Sequence, residues 1–267
     1  MSDRVGVSPK IAIVGAGFVG TSFAYSLLIR GLAAQIVIID IDRERAEGEV
    51  MDLNHGLPFV YPVKIWAGDY EDCKDADIVV IAVDKGQKLK QSRLELAAGN
   101  FEIIKQIVPK ITEYNKDGIL LVVTNPLDVM TYAVLKLSGF PKSRVIGSGT
   151  ALDTARLRTM LGEYFQIDSR NIHAYIIGEH GDSEVPVWSL TNVAGIRIRD
   201  YCMPYKNSLD KIDLDNMFVK VRDSAYEIVK RKGRTNYAVA LAMTKIVESI
   251  TRNENSVLTV SCFLEDY

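Results

Sequence analysis

Cysteine is scarce in this chain. Cys73, Cys202 and Cys262 are the only three, odd in number and far apart. That spacing offers neither a disulfide framework nor a metal-ligand pattern, and a reducing compartment suits it best. Charge imbalance is also lacking. Lys and Arg total 32 against 34 Asp and Glu, a formal net charge of −2. Nothing in that balance favours nucleic acid or an anionic membrane as a bulk partner. The apolar runs are short and broken by charge or glycine, so none is long enough to span a bilayer. The start, MSDRVGVSPK, has no apolar core of the kind a secretion signal carries. There is no internal repeat, no low-complexity tract and no linker rich in Pro, Gly or Ser. A cytoplasmic protein with one large or two modest domains is the expectation.

What is present is ample core material. The chain is 48% hydrophobic and 25% charged over 267 residues, an ordinary globular balance. In the first half, apolar runs alternate with helical patterns. KIAIVGAG, QIVIIDID, DIVVIAV, GILLVV and RVI read as buried strands. FVGTSFAYSLLIRG reads as a helix closed by Gly31, and RERAEGEVMDLNHG as one closed near Gly56. A long helical pattern from Arg93 to Asn115 contains Pro109, expected to bend or divide it, and Pro126 opens the helix PLDVMTYAVLKLSG. Continuous apolar strands separated by helices imply a parallel sheet covered on both faces. After Gly147 the rhythm changes to a helix (TALDTARLRTMLGEYF), irregular strands, two helices divided at Gly233, and an expected last strand, SVLTVSCFL. The expected domains are 1–147, binding a dinucleotide, and 148–267, carrying substrate and catalysis.

The first chemical motif is GAGFVG, with Gly15, Gly17 and Gly20 in a GxGxxG array. Alone this pattern is weak, and its glycines could merely close a turn. Here it follows a strand and opens a helix, as dinucleotide binding requires. Gly15 permits the tight turn, Gly17 lets the backbone approach a pyrophosphate, and Gly20 lets helix and strand pack closely. The helix N-terminus favours the phosphate charge. Asp40 ends the next strand, where a carboxylate accepts bonds from a ribose diol and repels a 2′-phosphate, so NAD is favoured over NADP. Phe18 and Val19, inside the motif, complete the cofactor-binding set.

Three further stretches stand out: TNPLD (Thr124–Asp128), LDTARLR (Leu152–Arg158) and IIGEHGD (Ile176–Asp182). With GAGFVG they closely resemble the L-lactate/malate dehydrogenase family, in the family's order and spacing, from about Lys10 to Tyr267. The resemblance implies an α/β fold, a Rossmann doubly wound parallel sheet with a second α+β substrate domain. By the same resemblance His180 is the acid/base catalyst. Its ordinary pKa makes a histidine the natural proton shuttle near neutral pH, although one met in isolation is more often structural. Asp153 would orient His180 and stabilise its imidazolium, as a triad carboxylate does. Arg156, three residues on, would clamp the substrate carboxylate with its planar fork, where a routine intrahelical ion pair with Asp153 is the plain alternative. Asn125 would contact the nicotinamide ribose and the substrate oxygen. Thr235 and Val239 resemble pocket-wall positions, with helix start and core as their plain alternatives.

The resemblance also gives meaning to the charged segment DKGQKLKQSR, Asp84–Arg93, which on its own reads as a solvated loop. In the family this segment is a mobile lid. By register Arg93 matches the arginine that polarises the reacting carbonyl, acting on charge that develops in the transition state. Gln87 matches the position that separates lactate from malate enzymes. A neutral Gln leaves a second carboxylate unpaired, which favours pyruvate and lactate over oxaloacetate and malate. Arg158 and His173 match residues that in many bacterial members bind an activating sugar bisphosphate, so fructose 1,6-bisphosphate is a candidate effector. Two surface residues without a ligand are the alternative.

The chain departs from the family pattern in several places. Asp84-Lys85 stand where Gly-Ala is usual, and Leu89-Lys90 where Pro-Gly often supplies a hinge. Arg234 and Asn236 stand where small and aromatic residues are common. Family members continue past the position of Tyr267 with further strands and a long helix, so the second domain is expected to be C-terminally truncated. The expected function is NAD-dependent interconversion of L-lactate and pyruvate by a homo-oligomer, as a tetramer, acting on a small 2-keto or 2-hydroxy acid. A malate or other 2-hydroxy-acid dehydrogenase, or a relative that binds NAD without catalysis, are the alternatives.

Overall fold

The protein is described here by a computed structural model covering residues 9–85, 93–201 and 214–265. Its first half is built from β1 (Lys10–Val14), α1 (Phe18–Arg30), β2 (Gln35–Ile39), α2 (Arg43–His55), β3 (Lys64–Ala67), β4 (Ile78–Ile81), α3 (Arg93–Tyr114), β5 (Ile119–Val122), α4 (Leu127–Ser138) and β6 (Val145–Gly147). The six strands form one parallel sheet in the order β3-β2-β1-β4-β5-β6. That is the doubly wound order, in which the progression of strands across the sheet reverses between β1 and β4, and ligands in such sheets gather at the carboxyl ends of those strands. The physical driver is visible in β4, whose Ile78, Val79, Val80 and Ile81 are all essentially inaccessible. Both faces of the strand are covered, so it alternates nothing.

The helix boundaries follow local chemistry. Gly31 adopts a left-handed φ of 61° and its amide caps the carbonyl end of α1. The Asp42 side chain accepts from the Arg45 amide at the start of α2. Pro109 lies inside α3 without dividing it, because the helix runs on to Tyr114. Ile104, Val108 and Ile111 form its buried stripe. The strand β3 leaves little trace in the sequence. Four residues at the sheet edge, with only Ile65 buried, carry little periodic signal.

The later half comprises α5 (Ala151–Phe165), β7 (Ile172–His173), β8 (Ile176–Ile177), β9 (Val185–Pro186), β10 (Asn192–Val193), β11 (Ile196–Arg197), α6 (Leu214–Lys232) and α7 (Tyr237–Thr251). The short strands pair antiparallel as β11-β10-β7 and β8-β9. Leu157, Leu161 and Phe165 of α5 pack with Ile172, Ile176 and Val221 into a separate core. The segment SVLTVSCFL is not a strand. It makes a single antiparallel bridge, Ser261 to Gly147, and its remaining residues have no ladder partner among the described residues.

Two compact units result: 1–148 with 236–257 and 261–267, and 149–235 with 258–260. The sequence pattern placed α7 with the later residues. In the fold it lies against α1, joined by Asn236 Nδ2 to Ser22 Oγ, Thr244 Oγ1 to Ser26 Oγ and Arg30 Nη2 to Glu248 Oε1, each at 2.8 Å. The unusual Asn236 is thereby buried with its amide satisfied. Among the described residues, no helix is long and apolar enough to cross a membrane.

Candidate functional site

In the first unit the glycine motif forms the turn between β1 and α1. Gly15 has φ +114°, and a Cβ there would stand 2.5 Å from the Ala82 carbonyl oxygen. A Cβ on Gly20 would run into the Gly15 carbonyl, so both positions are closed to any side chain. Gly17 differs: nothing lies within 4 Å of where its Cβ would be. Packing does not demand that glycine, and the open space above it is what a pyrophosphate needs. Gly17 caps α1 without a side-chain bond, and the first turn holds no acidic residue. Phe18 is half exposed with the Arg45 guanidinium 5.6 Å above its ring, and Val19 is partly buried.

Asp40 lies just after β2. Its Oδ2 accepts from the Ala16 amide at 2.6 Å and its Oδ1 from the Asp42 amide at 2.9 Å. The carboxylate therefore braces the glycine turn while standing partly exposed at the strand end. These residues fit an NAD molecule: an open glycine under the pyrophosphate, an uncapped helix start, and a carboxylate for the ribose diol.

The carboxyl ends of β4 and β5 are tied together by one buried side chain. Asn100 of α3 is fully inaccessible. Its Oδ1 accepts from the Lys85 amide at 2.9 Å, and its Nδ2 donates to the Asn125 carbonyl at 2.8 Å and to Asp84 Oδ1 at 3.3 Å. The Asp84-Lys85 departure is thus accommodated. Lys85 lies over Gly99, where a Cβ would come within 2.7 Å of its Cδ. Thr124 Oγ1 donates to the Val83 carbonyl at 2.8 Å, and Asn125, exposed, precedes a cis peptide bond to Pro126. Gln87 lies outside the described residues. Arg93 is the first residue of α3, and its side chain also lies outside them.

In the second unit, Asp153 and Arg156 share one face of α5, and His180 stands in the turn after β8. Asp153 is 1% exposed. Its Oδ2 is 2.6 Å from His180 Nδ1 and its Oδ1 accepts from Arg156 Nη1 at 2.7 Å. Burial alone would raise the Asp153 pKa, but the hydrogen bond and charge of His180 and the Arg156 guanidinium outweigh it and hold it low. Burial alone would lower the His180 pKa, and the hydrogen bond and charge of Asp153 more than offset that, leaving it raised. An ionised carboxylate only accepts, so Nδ1 carries a proton. The plain alternative for Arg156, an intrahelical ion pair, is present. It engages one Nη of a five-donor fork, so receiving an anion is compatible with it.

One buried polar residue in each unit escapes the sequence patterns. Asn100 occupies the apolar stripe of α3 together with Ile104, Val108 and Ile111, and a polar residue on such a stripe was the available signal. Glu184 had none. It sits in the polar stretch GEHGDSEV, yet is only 5% exposed and within reach of both Asp153 and His180.

The remaining candidates are Thr235, Val239, Arg158 and His173. Thr235 precedes α7 and is partly buried, as is Val239. Arg158 Nε donates to the Ala174 carbonyl at 3.0 Å and its guanidinium lies 5.2 Å over the Tyr175 ring. His173 is exposed on β7.

A parallel sheet that can cradle a dinucleotide, followed by a unit holding an imidazole paired with a buried carboxylate, is the build of a nicotinamide-dependent dehydrogenase. The chain belongs to the lactate/malate dehydrogenase family. Residues 9–147 match its NAD-binding domain and residues 150–267 its alpha/beta C-terminal domain. The chain is 55% identical over 259 residues to an L-lactate dehydrogenase of Acetivibrio thermocellus, covering 97% of this chain and 82% of that one. To L-lactate dehydrogenase 1 of Clostridium acetobutylicum it is 54% identical, covering 96% and 82%. Among solved structures, a minor L-lactate dehydrogenase from Enterococcus mundtii in its ligands-bound form superposes with a TM-score of 0.92 at 43% identity, covering 97% and 82%. A lactate dehydrogenase from a Medee basin deep-sea metagenome library gives 0.89 at 48% identity, covering 94% and 80%.

Proposed function

We propose that the protein is an NAD-dependent L-lactate dehydrogenase that interconverts pyruvate and L-lactate. The observation that carries the reading is Asp153, one buried carboxylate that holds both the His180 imidazole and the Arg156 guanidinium. A small anion bound by Arg156 would meet a proton donor held in a fixed direction. Bound NAD supplies the hydride acceptor or donor at C2 of the substrate.

The chain's own residues do the rest. Arg156 receives the substrate carboxylate, and His180 Nε2 gives a proton to the keto oxygen in reduction and takes it back from the hydroxyl in oxidation. Asp153 stabilises the imidazolium whenever it forms. Gly15, Gly17, Phe18, Val19, Gly20 and Asp40 hold the cofactor, and Asn125 serves its nicotinamide ribose. Arg93 polarises the carbonyl, Gln87 selects against a second carboxylate, and Thr235 lines the substrate's surroundings. The names of the relatives at about 55% identity support lactate over malate.

Arg158 and His173 form an effector site for fructose 1,6-bisphosphate in a cytoplasmic homotetramer. The bond from Arg158 to Ala174, next to His173, supports this by keeping two hydrogen-bond donors on neighbouring segments.

The test is direct. NADH binding is followed by fluorescence, then NADH oxidation is measured with pyruvate, oxaloacetate and a branched 2-keto acid, each with and without fructose 1,6-bisphosphate. Pyruvate should be turned over best. NADH binding without turnover on any substrate would sink the enzymatic reading. A bisphosphate that changes neither activity nor assembly would sink the effector site.

A further inference from the structure

His180, Asp153 and Glu184 each place a side-chain N or O atom within 4.8 Å of the others. Two of the three are explained by the acid/base pair, and Glu184 is not. It is 5% exposed, and its Oε1 is a buried oxygen without a hydrogen-bond partner among the described residues. An ionised carboxylate left in that state beside an ionised Asp153 is costly twice over, by desolvation and by like charge. A proton resolves both problems, because a carboxylic acid can donate to the Asp153 carboxylate.

A divalent cation is the poorer solution. His180 Nδ1 and Asp153 Oδ2 already lie 2.6 Å apart, and Arg156 holds the other Asp153 oxygen at 2.7 Å. A cation would have to open the first bond and stand beside a fixed positive charge.

We propose that Glu184 is a positioning residue for the proton transfer, a buried third carboxyl whose own ionisation sets how firmly the Asp153–His180 pair holds the catalytic proton. The inference rests on the reading of His180 as the acid/base residue. While Glu184 is neutral it donates to Asp153 and takes up part of that carboxylate's charge. Once ionised, it adds a negative charge near the imidazolium and keeps His180 protonated to higher pH. Burial, then the Asp153 charge, pushes the Glu184 pKa up to about 7, against the opposing pull of the His180 charge and the Gly181 amide. Among the described residues, the charged groups bearing on the cluster are Asp153 and Arg156 on α5 and His180 on Glu184's own turn. From α6, Tyr226 donates to Asp182 at 3.1 Å.

The test uses the full chain and Glu184→Gln, which keeps the shape and a donor but cannot ionise. Pyruvate reduction and lactate oxidation are each recorded as kcat/KM against pH. The alkaline limb of pyruvate reduction should move to lower pH in Glu184→Gln by roughly 0.5–2 pH units, as expected for losing one nearby charge. In Glu184→Asp, which can still ionise, the limb should return toward the wild-type position. A limb unmoved by Glu184→Gln, or displaced equally in Glu184→Asp, overturns the proposal. NADH fluorescence confirms that each variant is folded.

A second measurement needs no variant. The chain has only three histidines, so the His180 ring signal can be followed by NMR. It should titrate in two steps, one of them near pH 7, and a single-step curve overturns the proposal. Wild-type protein without pyruvate turnover would instead remove the underlying function, a result distinct from either.

Discussion

The Asn100 side-chain carbonyl accepts from the Lys85 backbone amide at 2.9 Å, fixing the chain just as it leaves β4 for the charged segment. The same carboxamide reaches the Asn125 carbonyl at 2.8 Å. One buried residue thus ties together the ends of β4 and β5, where the proposed function places the nicotinamide side of the reaction. Asn100→Ala would leave the Lys85 amide and the Asn125 carbonyl without this partner. The expected cost is about 1–3 kcal/mol of stability together with a raised KM for pyruvate. Denaturant unfolding and steady-state kinetics check both. Stability lost without any change in KM would make Asn100 purely structural.

Asp153→Asn removes the charge that favours the imidazolium while keeping the shape. The reaction should slow by roughly 10²–10⁴-fold. Asp153 raises the His180 pKa, so pyruvate reduction, which in the proposed mechanism needs protonated His180, should lose its alkaline limb at lower pH in the variant. Lactate oxidation, which needs the neutral ring, should begin at lower pH. The two limbs moving in opposite directions, or neither moving, would contradict the assigned roles.

The same groups give the wild-type fold a pH signature. His180 has a raised folded pKa, so its contribution to stability is present below the unfolded value of about 6.5 and is lost as pH rises through the folded pKa. Asp153 has a lowered one, so its contribution is present above about 3.9 and is lost as pH falls through the folded pKa. Glu184 is raised to about 7, so it destabilises the fold progressively as pH climbs from about 4.3 toward that value. Melting curves should therefore show Glu184→Gln gaining on wild type above neutrality. An equal gain at pH 4 would argue for better packing instead.

Asp40 both braces the Ala16 amide and offers its carboxylate at the end of β2. Asp40→Ala should weaken NADH binding about tenfold, the worth of one charge-assisted bond. NADPH should be affected less, because a repulsive charge is removed at the same time. The ratio of the two dissociation constants decides. An unchanged ratio would place the ribose elsewhere.

Gln87→Arg tests the specificity assignment made from sequence alone. The variant should raise kcat/KM for oxaloacetate relative to pyruvate by roughly a hundredfold or more, because a second carboxylate then finds a cation. No change in the ratio would move the specificity position to another residue.

Local patterns in the sequence determined a good deal. Buried apolar runs separated by helices dictated the parallel sheet, because a strand covered on both faces must be apolar throughout. GAGFVG showed where the backbone turns too tightly for a Cβ, and Leu152–Arg158 with Ile176–Asp182 supplied the chemical groups. Tertiary structure decided what depends on residues far apart in the chain. It sent α7 back to α1, since the apolar face of a helix says that it is buried but not against what. It denied SVLTVSCFL a ladder, because a strand exists only where another strand pairs with it. It tied Lys85 to Asn100 across 15 residues. It also turned Glu184, one more polar residue in a polar turn, into a buried carboxyl beside Asp153, for burial and proximity are properties of the fold and not of the residue.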